Sequence, residues 1–159
     1  MTKGQKLYRK AKKIIPGGNQ LLSKRPEMFL PDFWPSYYRK SSGIKVWDLN
    51  NKIYKDFSIM SIGQCPLGYA NPIINKAVKK AIDNGSTSTL NSFEEYELAS
   101  KLINLHRGME SVRFAKTGGE ACTIAVRIAR AYTKRSIIIA SGYFGWHDWY
   151  LASNLKAKG

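Results

Sequence analysis

The chain has 159 residues, 43% of them hydrophobic, and 26 Lys and Arg against 11 Asp and Glu, for a formal charge of +15. That composition is the one expected of a soluble globular chain with a core, and no apolar run approaches the ~20 residues that span a bilayer. The opening Met1–Lys6 carries charge without a following apolar core, so it is not read as a secretory signal. Cys65 and Cys122 stand far apart, outside any C-x-x-C pair, which argues against zinc and a disulfide framework and places the chain in a reducing cytoplasm.

The first predicted element is a helix over residues 4–15, closed by Pro16-Gly17-Gly18. Its basic residues alternate with Leu7, Tyr8, Ala11, Ile14 and Ile15, the spacing of an amphipathic helix with a solvated basic face. The other basic residues are spread along the chain, which favours solvated faces over a dedicated nucleic-acid site. Residues 19–42 hold Pro26, Pro31 and Pro35 among aromatics and read as an irregular, extended arm. The runs Gly43–Leu49 and Lys52–Ser58, joined at Asn50-Asn51, predict a β-hairpin. A glycine-punctuated loop, Ile59–Ala70, leads to Asn71-Pro72, an N-cap followed by proline at the first helical position. Ile73, Ile74, Ala77, Val78, Ala81 and Ile82 follow at helical spacing up to Asn84-Gly85. Ser92 with Glu95 three residues on predicts a capping box and a further helix, with Leu98, Leu102 and Ile103 as its buried stripe.

Ser111–Ala115 then reads as a strand, Gly118-Gly119 as a tight turn, and Glu120–Tyr132 as a helix with Ala121, Ile124, Ala125, Ile128 and Ala129 inward. Ser136–Ala140 is a second, Ile-rich strand of the kind buried on both faces. Strand, turn, helix and strand make a βαβ unit, so the expected class is α/β with a small α+β segment before it. The expected division is an N-terminal helix, arm and hairpin over 1–70 and the start of a larger domain over 71–159.

In open α/β sheets ligands sit beyond the carboxyl ends of the strands, where helix N-termini point into the crevice. Gly118 and Gly119 lie at that edge and let the backbone approach an anion, with Thr117 adding a hydroxyl. Spacing alone leaves a plain β–α connection equally open, because the turn is neither G-x-G-x-x-G nor a Walker loop. The second strand runs into Ser141-Gly142-Tyr143-Phe144-Gly145-Trp146-His147-Asp148, where Tyr143 is placed to lie against a flat heterocycle. Trp146 and Trp149 would line the pocket or simply pack. One His and one Asp are too few for a metal site, and no nucleophile accompanies them, so His147 is assigned a structural or rim role.

The run Val112-Arg113-Phe114-Ala115-Lys116-Thr117-Gly118-Gly119-Glu120-Ala121, followed by Ala125–Thr133, resembles class-III aminotransferases, and within them the glutamate-1-semialdehyde aminomutase-like branch. Pro16-Gly17-Gly18, Val46-Trp47-Asp48 and Pro66-Leu67-Gly68-Tyr69-Ala70-Asn71-Pro72 are similar to the family's N-terminal arm, hairpin and substrate-side loop. The resemblance covers nearly the whole chain. It implies the N-terminal part of a pyridoxal-phosphate (PLP)-dependent transferase of fold type I, acting on small-molecule amino donors and acceptors and dimeric when complete. It implies that Thr117, Gly118 and Gly119 hold the PLP phosphate and that Tyr143 stacks on its ring. Thr117 stands where the family has Ser, Gly119 where it has Ser or Thr, and Phe144 where it commonly has His. The family's Schiff-base lysine and its pyridine-pairing aspartate fall beyond Gly159, and no lysine here takes the matching position, so no catalytic residue is assigned. Lys116 reads as surface or rim. A catalytically inactive remnant serving as an interaction module, and a basic nucleic-acid-binding domain, are the two rival readings.

Overall fold

The computed structural model describes residues 1–58 and 60–150; Ile59, the first residue of the predicted loop, and the last nine residues of the 71–159 segment lie outside them. The chain divides into two compact units, Met1–Thr87 and Ser88–Gly159.

In the first unit, helix α1 (Lys3–Ala11) starts on a capping box: Thr2 Oγ1 accepts from the Gln5 N–H at 3.3 Å and Gln5 Oε1 accepts from the Thr2 N–H at 2.7 Å. It is shorter than the 4–15 expected, because the chain turns at Lys12 and reaches Pro16, which has no N–H to continue a helix. Gly4, Tyr8 and Ala11 form its buried face, while Lys3, Lys6, Arg9 and Lys10 stay exposed. Tyr8 packs on Gly18, where an added Cβ would come within 2.5 Å of the ring. The Tyr8 hydroxyl donates to Glu27 Oε2 at 2.9 Å, and Lys12 pairs with the other carboxylate oxygen. Burial, with the neighbouring Glu27 charge, raises the Tyr8 pKa; the Lys12 ammonium and further hydrogen bonds bring Glu27 down to about 2.

Three short strands follow: β1 (Tyr38–Ser42), β2 (Lys45–Asp48) and β3 (Ile53–Lys55), antiparallel in the order β1-β2-β3. The expected hairpin is β2–β3, in register Lys45↔Lys55, Val46↔Tyr54 and Trp47↔Ile53, with Asn51 at φ 67° in its turn. The end of the arm expected to be irregular, Tyr38–Ser42, is instead an edge strand with a bulge near Arg39. Asp48 is the buried anchor, 3% exposed, its carboxylate accepting from the N–H groups of Asn50 (2.8 Å) and Lys52 (2.9 Å) and from the Tyr54 hydroxyl (3.3 Å). Burial opposes its ionisation, and these hydrogen bonds outweigh burial and hold its pKa below the usual carboxylate range. Gly43 and Tyr69 exchange backbone hydrogen bonds, and the Tyr69 hydroxyl donates to Asp56 Oδ2 at 2.5 Å. Burial and that bond push Tyr69 up to about 12. Helix α2 (Pro72–Asp83) begins as expected, with Asn71 Oδ1 accepting from the N–H groups of Ile73 (3.0 Å) and Ile74 (3.3 Å).

The second unit holds helices α3 (Phe93–Leu105) and α4 (Gly118–Thr133). The capping box at Ser92 does not form, because the Ser92 hydroxyl turns to the Glu94 carboxylate instead of accepting from the helix. Ser111–Ala115 and Ser136–Ala140, the two expected strands, join no ladder among the described residues. A strand is defined by its partners, and these flank α4 without a neighbour: Ile137 and Ile139 are 83% and 97% exposed. The inward stripes expected of α3 and α4 are likewise open, with Leu98 and Ile128 both more than half exposed.

The accessible surface is 14032 Å² for 18.0 kDa. Compact packing of one such mass leaves about 8,000 Å², and two separate globules of half that mass about 9,700 Å². Much of the apolar surface is therefore uncovered within the chain. Among the described residues no helix is long and apolar enough to cross a membrane.

Candidate functional site

Helix α4 opens on a complete capping box. Thr117 Oγ1 accepts from the Glu120 N–H at 3.2 Å, and Glu120 Oε2 accepts from the N–H groups of Lys116 (2.9 Å) and Thr117 (3.0 Å). A helix start leaves its first N–H groups without internal partners, and the box satisfies the third of them, at Glu120. The N–H groups of Gly118 and Gly119 keep no partner among the described residues. They sit at the positive end of a sixteen-residue helix.

The two glycines differ in surroundings. A Cβ on Gly118 would meet nothing within 4 Å, so that face of the turn is open. Gly119 is buried, and a Cβ there would lie 2.9 Å from Cδ2 and 3.1 Å from Nε2 of the His147 ring. Gly145, at φ 98°, packs its own Cα side on Gly119: a Cβ on it would come within 2.9 Å of the Gly119 Cα. The segment 143–147 therefore lies against the turn, as its position at the end of the second predicted strand implied. Open on one side and backed by Gly145 and His147 on the other, the turn is a cradle that suits an oxyanion.

One hydroxyl ties the arrangement together. Thr123 Oγ1 lies 2.9 Å from the Gly119 carbonyl, 2.8 Å from His147 Nδ1 and 3.0 Å from Trp149 Nε1. Tyr143 is 80% exposed and stands at right angles to the Tyr150 ring, 6.1 Å between centroids. Trp146 stands beside His147 at 5.0 Å and is also exposed. Lys116 contributes only its backbone N–H, to Glu120. Asp148 is exposed, and no group of three or more metal-ligating side chains occurs among the described residues. An open groove of this unit, about 500 Å³ and lined by Ser92, Glu95, Tyr96, Val112 and Phe114 among others, includes none of the turn residues.

Thr117, Gly118, Gly119 and Tyr143 are legible as site candidates in the sequence, and Thr123 and Gly145 are not. Thr123 is four residues after Gly119, hence on the same helix face, and that spacing was the available signal. Gly145 carried none beyond its residue type.

A family model, aminotransferase class-III, matches residues 32–156. The fold is thus that of the PLP-dependent transferases of fold type I. More narrowly, the chain belongs to the class-III aminotransferase family. It is 35% identical over 150 residues to a 3-aminobutyryl-CoA aminotransferase of Cloacimonas acidaminovorans, covering 94% of this chain and 36% of the relative. A glutamate-1-semialdehyde 2,1-aminomutase of Fusobacterium nucleatum is 37% identical over 133 residues, 84% of this chain and 30% of that one. The FumI protein of Sphingopyxis sp. MTA144, solved in its PLP internal aldimine form, superposes with a TM-score of 0.84 at 28% identity over 94% of this chain and 36% of FumI. The chain spans about a third of the length of the relatives it matches.

Proposed function

We propose that this chain supplies the phosphate-holding and ring-facing part of a PLP site in a class-III aminotransferase or aminomutase. The observation that carries this is the turn at the head of α4: two free glycine N–H groups, an open face at Gly118, and a back wall built from Gly145 and His147. Gly118 and Gly119 donate to the phosphate through their N–H groups, Thr117 adds its hydroxyl, and the helix dipole favours the anion. Tyr143 presents a ring face to the pyridine ring. Glu120 holds the N–H groups of Lys116 and Thr117, so its carboxylate is engaged beside the turn rather than across its mouth. When bound, PLP supplies an electron sink for moving an amino group between a small-molecule donor and acceptor. Homodimerisation is proposed as well, supported by the uncovered apolar faces of α3 and α4, and so is a cytoplasmic setting, supported by two free cysteines.

The test is a comparison of PLP with pyridoxal, which lacks the phosphate, by equilibrium dialysis. The chain should hold PLP at least tenfold more tightly, the scale of one hydrogen bond to a charged group. Equal affinity for the two would remove the phosphate cradle.

A further inference from the structure

We propose that His147 is a phosphate-side ligand of this site, occupying the space that a side chain at position 119 would take. The inference rests on the PLP reading above and adds a residue to it. In an α-helix every Cα–Cβ bond tilts toward the N-terminus, so the place of a Gly119 side chain is on the side to which the free N–H groups of Gly118 and Gly119 point. That place is filled by the Cδ2–Nε2 edge of the imidazole, at 2.9 and 3.1 Å from the ideal Cβ position. The turn therefore keeps a polar side chain at this spot although its own residue has none, delivered from 28 residues further along the chain.

The bonding of the Thr123 hydroxyl fixes what that edge carries. The hydroxyl has one proton and two lone pairs. Trp149 Nε1 only donates and the Gly119 carbonyl only accepts, so the arrangement that serves all three neighbours sends the Thr123 proton to Gly119. His147 Nδ1 is then the second donor to Thr123, at 2.8 Å. With Nδ1–H engaged, the polar atom left at the turn is Nε2. As an N–H, Nε2 donates a charge-assisted hydrogen bond to a phosphate oxygen placed at the turn. The same contacts explain why residue 119 is glycine: any larger residue and the imidazole compete for one volume.

The experiment measures PLP and pyridoxal affinities by equilibrium dialysis for the unaltered chain, His147→Asn, His147→Gln, Gly119→Ser and the double variant Gly119→Ser/His147→Ala. Asn keeps a donor at the Nδ1 position for Thr123 and loses the Nε2 position; Gln reaches the Nε2 position. The expected result is a roughly tenfold loss of PLP affinity in His147→Asn, with pyridoxal unchanged and most of the loss recovered in His147→Gln. Gly119→Ser should lose PLP affinity through the clash, and removing the ring in the double variant should restore it. A His147→Asn chain that keeps the full preference for PLP would overturn the inference. So would a double variant that binds PLP no better than Gly119→Ser, which also covers the case of a poorly folded His147→Asn chain. If the unaltered chain itself shows no preference for PLP, the phosphate-cradle reading falls and this inference with it.

Discussion

The N-terminal network and the α4 turn handle polar groups in opposite ways. Around Asp48 two backbone N–H groups and a tyrosine hydroxyl converge on one buried carboxylate, and at the more exposed Glu27 a tyrosine and a lysine converge likewise. At the head of α4 the cap satisfies the third N–H, and the first two, at Gly118 and Gly119, stay free behind an open face. A closed network spends its donors on structure. An open one leaves them for a ligand, and this contrast separates the candidate site from the other polar clusters of the chain.

The largest effect expected concerns the apolar segments that neither region covers. Ile137 and Ile139 are exposed in a stretch, Ser136–Ala140, that is uncharged and β-branched. At tens of micromolar the chain should self-associate. The double substitution Ile137→Lys/Ile139→Lys should return it to the monomer peak in sedimentation velocity, and an unaltered monomer at that concentration would contradict the expectation.

Next comes the closed network itself. Asp48→Ala leaves two backbone N–H groups and the Tyr54 hydroxyl without their acceptor and should cost about 3 kcal/mol in urea unfolding of the N-terminal unit. Acid should reach the same groups. Asp48 and Asp56 have folded pKa values below the ordinary carboxylate range, and Glu27 lies at about 2. Their stabilisation is complete above the unfolded carboxylate pKa, near 4, and is lost as pH falls through the lower folded values. Asp48→Asn should flatten that acid limb. Glu27 adds less, since its side chain is nearly half exposed and screened by solvent.

The open turn should respond the other way. Gly118→Asp meets no steric obstacle and suits the positive helix end, so thermal stability should hold or rise while PLP affinity falls roughly thirtyfold, about 2 kcal/mol. A parallel loss of both would mean that the turn is structural. The smallest contrast lies between two helix starts. Asn71→Ala, which removes a cap bonded to two N–H groups, should cost about 1 kcal/mol, and Ser92→Ala, whose hydroxyl makes no such bond, under about 0.5 kcal/mol.

Local chemistry was readable from the chain, and pairing beyond the hairpin was not. Asn71-Pro72 opens α2 and Asn50-Asn51 turns the hairpin as their residue types dictate. Ser92 misled because a serine three residues before a glutamate also has Glu94 within reach, and the nearer carboxylate took the hydroxyl. Tyr38–Ser42, Tyr-Arg-Lys-Ser-Ser, lacks the alternation of a half-buried strand because it is an exposed edge, held by backbone bonds that composition does not reveal. Ser111–Ala115 and Ser136–Ala140 carry strand composition without a ladder, since pairing needs a neighbour that composition cannot supply. At the site, the turn residues were legible as a motif. The approach of Gly145 and His147 was not, because it joins positions 26 and 28 residues apart.

The Thr123 hydroxyl has every valence committed, and that makes it a latch rather than a cushion. Lifting the 143–149 segment would strand an indole N–H and an imidazole N–H in the same movement, so the segment should release as a unit and not residue by residue. Trp149 thereby becomes an intrinsic fluorophore for the latch: its indole, half-buried when bonded to Thr123, gains exposure to water when the segment swings away, and its emission shifts to longer wavelength as it does.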